Sequence, residues 1–562
     1  MLRIPLVTTF LERRGRRRLR HIMRGYRRLR GTNQLGKMAA VRDAFTNTRF
    51  GLGRRGVSTL IFGAGSRKAE LAVCQYLLTR AADAIALNKS LLYTVGNPDS
   101  GVVHHLPPEW RKVLRVHGFR VDELRSAVAW NSFVFALFCY GVWSIGKRSL
   151  QSLRELVRPS LPALGRFAFF EGLAATHLPQ RCEDGRSYDI VTWYQQWPGR
   201  VCELDSFCHS VKDVVGSAVE GVPVISVSGA IPALGRLGPL IRYVGWGIAA
   251  SAVALFDLLR GRWWHPLLLR QAASAAMVRI QESDALARDY LFHNGEWIHR
   301  PLWTYEAEKK GCRVTFYFYS TNCEEFKRPE GYPIQAHSWQ AMSWPRYLVW
   351  DEYQADFVRR AVGDTANISV VGPIWFQTSA KEMPGLPPDS VAVFDVQPFR
   401  ASRYQVLGAP WEYFTPRTAN RFLLDIYSVV RDLGGGMALK RKRRMQPHQG
   451  RLVHVEYRAT IDQLRQEDEI IVVDPDLSAF RLIESCSTVI SMPFTSTALL
   501  GLELGKPSIY YDPFGVVEKD DRAAHGIPVI SGITELREWF ADKEGHRQLR
   551  PNLGPAPSWT HS

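Results

Sequence analysis

One feature restricts the fold more than any other: apolar strand patterns alternate with helical ones on both sides of the proline-rich stretch QTSAKEMPGLPPDS (residues 377–390). Upstream of it, the β-rich runs YDIVTWYQQW (188–197), ARDYLFHNG (287–295), CRVTFYFYSTN (312–322), RYLVWDEYQADFVRRAV (346–362) and NISVVGPIWF (367–376) alternate with helical patterns. Downstream the grammar restarts with SVAVFDVQP, a helix in TANRFLLDIYSVVRDLGG, then MALKRKR, EIIVVDP, STVISMP and PSIYYDP as strands. Strand-helix-strand alternation requires a parallel sheet covered on both faces. The sequence therefore predicts an α/β chain with two doubly wound parallel-sheet domains, 166–376 and 391–545, joined by a linker at 377–390.

The remainder divides into a basic N-terminal arm (1–50), a mostly helical extension (51–165) and a short tail (546–562). The net charge of +18 is concentrated in that arm, where eleven arginines and one glutamate fall between Arg3 and Arg30. The stretch LERRGRRRLRHIMRGYRRLR interleaves Leu11, Leu19, Ile22, Met23, Tyr26 and Leu29 with arginines at near-helical spacing. That pattern suits a basic amphipathic helix on an anionic membrane surface, and equally a solvated tail or a transit peptide. No nucleic-acid partner is expected, because no zinc-finger spacing or RNP-like run accompanies the charge.

Residues 126–146, SAVAWNSFVFALFCYGVWSIG, carry no charge over a length that would just span a bilayer. Asn131, Ser132 and the flanking basic residues leave a spanning or re-entrant helix and a buried core helix both open. YVGWGIAASAVALF (243–256) is too short to span and reads as a monotopic surface helix or a core helix. Eight cysteines without a Cys-x-x-Cys pair, and no apolar leader, point to a reducing cytoplasm and to neither zinc nor disulfides.

The chemistry is expected at the carboxyl ends of the strands, where sheets of this class bind ligands. After the strand STVIS comes Met492-Pro493-Phe494-Thr495-Ser496-Thr497, then a helix. Hydroxyls at Ser491, Thr495, Ser496 and Thr497 exceed what one N-cap requires, and a helix N-terminus attracts phosphate. The strand MALKRKR delivers Lys440, Lys442 and Arg444 on one face, or Arg441 and Arg443 on the other. Glu503, about two turns into that helix, suits a bond to ribose hydroxyls and equally a solvated position. A general base would come from the first domain, with His293 favoured and Glu296, Asp351 and Glu352 as further candidates.

The run ALKRKR followed by VVDPDLSAFRLIESCSTVISMPFTSTALLGLELGKPSIYYDP resembles the bacterial polysaccharide-biosynthesis proteins named for a Pro-Phe-Thr-Ser motif, here Pro493 to Ser496. More distantly it is similar to GT-B glycosyltransferases. The resemblance implies a GT-B arrangement and transfer of a sugar from a nucleotide-sugar donor to a surface polysaccharide or its lipid-linked precursor. It places Lys440, Lys442, Arg444, Ser491, Pro493, Thr495, Ser496 and Thr497 at the donor phosphates and Glu503 at the ribose. It implies no cofactor and no metal, a donor for which a cytidine monophosphate link is one option, and a cytoplasmic site peripheral to the inner membrane. A polyol-phosphate transferase, a nucleotide-sugar epimerase and a non-catalytic assembly protein are the alternatives.

Overall fold

The structure is a computed structural model that describes residues 17–28, 35–50, 73–78, 81, 84–157, 164–180, 188–212, 216–295, 299–329, 331–333, 335, 337–376, 381–387, 389–398, 413–442 and 453–542. Arg444, Glu296, the tail at 546–562 and parts of the arm and linker lie outside these residues.

The first sheet has eight strands: β1 (Phe167–Phe170), β2 (Ser206–His209), β3 (Ser217–Val219), β4 (Val222–Ser226), β5 (Asp289–His293), β6 (Arg313–Tyr317), β7 (Tyr347–Val349) and β8 (Ile368–Val370). Their order is β3-β4-β2-β1-β5-β6-β7-β8, parallel throughout except for the β3/β4 pair. The second sheet holds β9 (Val391–Phe394), β10 (Met437–Lys440), β11 (Ile470–Val473), β12 (Thr488–Ser491), β13 (Ser508–Asp512) and β14 (Val529–Ser531). Its order, β11-β10-β9-β12-β13-β14, is that of a dinucleotide-binding sheet, and all its pairs are parallel. Strand order reverses between β1 and β5 in one sheet and between β9 and β12 in the other. Those reversals open the two crevices in which such sheets bind ligands. The chain thus adopts the two-domain GT-B arrangement expected of it.

The central strands are buried along their length because helices cover both faces. Ten helices matter below: α1 (Glu123–Val157), α2 (Leu237–Leu259), α3 (Trp264–Ile280), α4 (Trp303–Lys309), α5 (Glu352–Val362), α6 (Pro416–Asp432), α7 (Val455–Leu464), α8 (Ala479–Glu484), α9 (Thr497–Glu503) and α10 (Gly532–Ala541). Helix α3 is buried nearly all round; Ala275 and Val278 meet Phe169 and Phe292 of the first sheet, while Leu269, Ala273 and Ala276 meet the outer pair α1 and α2. Two glycines permit this layering. A Cβ at Gly141 would lie 2.7 Å from the Leu269 Cβ, and one at Gly247 would lie 2.5 Å from the Ile145 Cγ2.

Several expectations are corrected. Residues 190–196 form a helix and not a strand: the β-branched and aromatic content is real, but Asp189 accepts from the Val191 and Thr192 N–H groups and starts a helical turn. Strand β10 ends at Lys440, so Arg441 and Lys442 follow the strand and its alternation does not govern them. Strands β1 to β4 of the first sheet and β14 of the second lie outside the predicted runs. The arm is no free lipid-binding helix either, because Ile22 and Tyr26 are buried against Leu91 and Leu92, and Gly25 packs on the Leu92 carbonyl. Part of its apolar face, at Ile22 and Tyr26, is therefore covered by the extension, while Leu19 stays exposed. Helix α1 is not a buried core helix: only 28% of its apolar window is covered, and the same holds for α2. Both are long and apolar enough to cross a membrane by length and composition, yet each has one flank packed on protein.

The two sheets are joined by an apolar cluster that runs from Phe170, Leu291 and Trp350 into Phe494, Ala498 and Tyr510. Polar clasps surround it. His525 Nδ1 meets Asp351 Oδ2 at 2.6 Å with both side chains buried, and Asp521 accepts from the Lys327 N–H and the Tyr332 hydroxyl. Overpacking the α1–α3 contact should be costly. Gly141→Val is expected to lower stability by about 1–3 kcal/mol, read from urea denaturation followed by tryptophan fluorescence.

Candidate functional site

The Pro-Phe-Thr-Ser turn lies at the end of β12, beside the reversal with β9. Its hydroxyls are used locally. Thr495 Oγ1 donates to the Met492 carbonyl at 2.9 Å, and Ser491 Oγ and Thr497 Oγ1 pair at 2.8 Å. Ser496 occupies the N-cap position of α9 without a side-chain capping bond. Its Oγ instead accepts the Thr321 N–H at 2.9 Å and lies 3.2 Å from the Thr321 hydroxyl, across the domain boundary. Four hydroxyls in one turn therefore tie the turn together and clasp the two sheets.

Phe494 adopts φ 64°, a left-handed conformation unusual for a bulky side chain. Such strain costs about 1–3 kcal/mol and persists only where the surroundings enforce it. Here the Phe326 ring of the first domain packs tilted against it at 4.4 Å and the Tyr510 ring meets it edge-on at 5.7 Å. Pro493, buried, leads into this residue. The turn's shape is thus set by packing from both domains.

At the ends of β9, β10 and β11 lies a different chemistry. A cavity of about 590 Å³ is lined by Arg441, Arg458, Arg465, Val473, Asp474 and Pro475, among others. Arg441 is only 6% exposed, and its Nε and Nη1 have no hydrogen-bond partner among the described residues. Asp395, at the end of β9, is buried close by, held by the Tyr457 hydroxyl. Burial pushes its carboxyl up to about 6, against the opposing pull of the Tyr457 bond and the Arg441 charge. Two buried guanidinium nitrogens unmet by the described residues suit an incoming anion, because leaving such donors unpaired is expensive.

The predicted cations fare unequally. Lys440 donates to the Pro475 carbonyl at 2.9 Å, and burial pushes its amine down to about 8, so it braces the neighbouring loop. Lys442 is exposed. Glu503 is the last residue of α9, exposed and within electrostatic reach of Asp351. Asp474-Pro475-Asp476 has an Asp-x-Asp spacing, but Asp474 is held by Lys381 and by the Asp476 N–H. Among the described residues no cluster of three metal-ligating side chains occurs.

In the first domain, His293 ends β5. The Gly295 N–H reaches Nδ1 at 3.2 Å, so Nε2 carries the proton and donates to the Gly172 carbonyl at 3.1 Å. With both nitrogens engaged and burial pushing the ring's pKa down to about 4, His293 holds its turn as a neutral imidazole. Asp351 caps α5 through the Gln354 N–H and is paired to His525.

The group that sequence reasoning missed is Glu171, which follows β1 at the first sheet's reversal. Burial raises its carboxyl to about 7, the range in which a side chain can both take and give a proton. The available signal was a glutamate directly after the aromatic run RFAFF and before Gly172, whose φ of 75° turns the chain. A carboxyl raised on folding stabilises the native state below its unfolded pKa, and this stability is lost as pH rises through the folded value. Glu171→Gln should therefore raise the denaturation midpoint relative to wild type at about pH 8 while leaving it little changed at about pH 4.5, measured by urea unfolding at the two values.

A family profile described as "Polysaccharide biosynthesis PFTS motif protein" matches residues 248–540, just over half of the chain. No curated protein matches the sequence. Among solved structures, the wall teichoic acid polymerase TagF is 11% identical, with 74% of this chain and 89% of that one covered at a TM-score of 0.36. The glycosyltransferase SnogD from Streptomyces nogalater is 12% identical, with 68% and 92% covered at 0.34. The UDP-GlcNAc 2-epimerase from Neisseria meningitidis is 9% identical, with 68% and 93% covered at 0.31. Scores this low describe a distant likeness of chain path and carry no functional argument.

Proposed function

The chain belongs to the family of polysaccharide biosynthesis PFTS motif proteins, and from that premise we propose that it is a glycosyltransferase. It moves a sugar from a nucleotide-linked donor, held by the second domain, onto a surface polysaccharide or its lipid-linked precursor, held by the first. The observation that carries this reading is Arg441, a buried cation whose Nε and Nη1 have no hydrogen-bond partner among the described residues, in a cavity at the carboxyl edge of the second sheet. Phosphate is the ligand chemistry that such a guanidinium matches, through paired charge-assisted hydrogen bonds.

In the transfer, the acceptor hydroxyl bonds to the anomeric carbon of the donor sugar as the bond from that carbon to the phosphate oxygen breaks. The nucleotide leaves with the electron pair. Arg441 neutralises the charge that develops on the phosphate, an interaction stronger in the transition state than in the ground state. Glu171 takes the acceptor's proton, a role that suits a carboxyl held near 7. Thr321 and Ser496 hold the two halves together across the crevice.

The protein works at the cytoplasmic face of a membrane, with the exposed apolar sides of α1 and α2 in the interfacial layer. Ile241, Ile248, Phe256 and Leu259 on α2 and Phe135, Trp143 and Leu150 on α1 are all more than one third exposed. The flanking Arg242, Arg260, Lys147 and Arg154 complement an anionic lipid surface, and Arg260 lies 4.0 Å from the Phe256 ring centroid.

Calorimetric titration with cytidine, uridine and guanosine mono- and diphosphates tests the donor site. One nucleotide class should bind, and Arg441→Met should weaken it by about 1.5–3 kcal/mol. Ser496→Ala should affect affinity less, because its hydroxyl is engaged by Thr321. Folded protein that binds no nucleotide, or Arg441→Met with undiminished affinity, removes the donor-site assignment.

A further inference from the structure

A second cavity, of about 300 Å³, lies between α1, α3 and the carboxyl end of β1; Tyr140, Trp143, Lys147, Arg148, Glu171 and Arg270 are among its lining residues. Its charge is unbalanced. Arg148 donates to Ser274 Oγ at 3.0 Å and contacts the Met277 sulfur, and it lies in the electrostatic field of Arg270. Arg270 is packed over the Tyr140 ring at 4.6 Å and Lys147 over Trp143 at 5.3 Å. Among the described residues, none of these three cations forms an ion pair with a carboxylate, although much of the remaining surface charge is paired. Tyr243 adds a further unmet group: it interacts electrostatically with Arg148, is fully buried, and its hydroxyl has no hydrogen-bond partner among the described residues.

Like charges gathered around a cavity repel one another unless an anion joins them. The surroundings indicate what carries that anion. The rim residues Trp143 (56% exposed) and Tyr140 (40%) stack on each other at 5.5 Å with Lys147 above, a grouping that favours the membrane–water interface. Beside them run the exposed apolar faces of α1 and α2. The cavity is at the small end for ligand sites, so it fits a headgroup and not a lipid chain.

We propose that this cavity seats the diphosphate of a lipid-linked acceptor, with Arg148 and Arg270 on the phosphates, the apolar chain along α1 and α2 in the interfacial layer, and the accepting hydroxyl toward Glu171. The acceptor role rests on the glycosyltransferase reading; the lipid-diphosphate site does not.

Flotation of the full chain with phosphatidylcholine vesicles, in the absence of any nucleotide, tests it. One set of vesicles carries polyprenyl diphosphate and another carries phosphatidylglycerol at equal charge. Wild type should prefer the diphosphate vesicles by about tenfold, and Arg148→Gln/Arg270→Gln should abolish that preference while retaining phosphatidylglycerol binding. Absence of a preference in wild type, or its survival in the variant, overturns the proposal. Inorganic diphosphate binding as tightly as the lipid would assign the site to a soluble anion and overturn the lipid. Should the variant fail to fold, a photoactivatable polyprenyl diphosphate on wild type decides: labelling within 140–151 or 270–274 supports the site, and labelling elsewhere refutes it. Because no donor is present, a failure of nucleotide binding leaves this result standing.

Discussion

Parallel strands can be joined only by crossovers, and crossovers put helices on both faces of a sheet; everything else in this protein follows from that covering requirement. It buries β1, β5, β9 and β12 on both sides and gathers the carboxyl ends of each sheet at one edge. Where strand order reverses, neighbouring crossovers depart to opposite faces and leave a crevice. Glu171 and the Pro-Phe-Thr-Ser turn lie at those two reversals, and Arg441 lies one strand away from the second.

The same covering explains the unusual outer layer. Helix α3 satisfies one face of the first sheet and is itself covered by α1 and α2, so these two are left with apolar sides that the described residues do not cover. The added layer places Trp143, Tyr140 and Lys147 beside the carboxyl end of β1, where they line a cavity with Glu171.

The seam between the sheets is built differently from either core. It combines an apolar cluster around Phe326 and Phe494 with buried polar clasps at Asp351–His525, Asp521–Tyr332 and Ser496–Thr321. Hydrogen bonds of this kind add modest net stability but define register, since each donor left unmet is expensive. That is why side chains resembling catalytic candidates, such as Asp351, are engaged in holding domains together.

The sequence by itself determined the fold class and five of the six strands of the second sheet, because strands buried on both faces are written as near-continuous apolar runs. It also determined the family, through Pro493 to Ser496. Only the tertiary structure decided which polar groups are spent and which remain unmet. His293 and Arg441 look alike in sequence, as polar residues near strand ends, yet one has both nitrogens bonded and the other is buried with Nε and Nη1 unmet among the described residues. Residues 190–196 became a helix because Asp189 supplied the first hydrogen bonds, and Ile22 and Tyr26 of the arginine-rich arm are buried in the cluster that holds Leu91 and Leu92. Hydrogen-bond partners and the covering of a face come from residues distant in the chain, and local pattern carries no record of them.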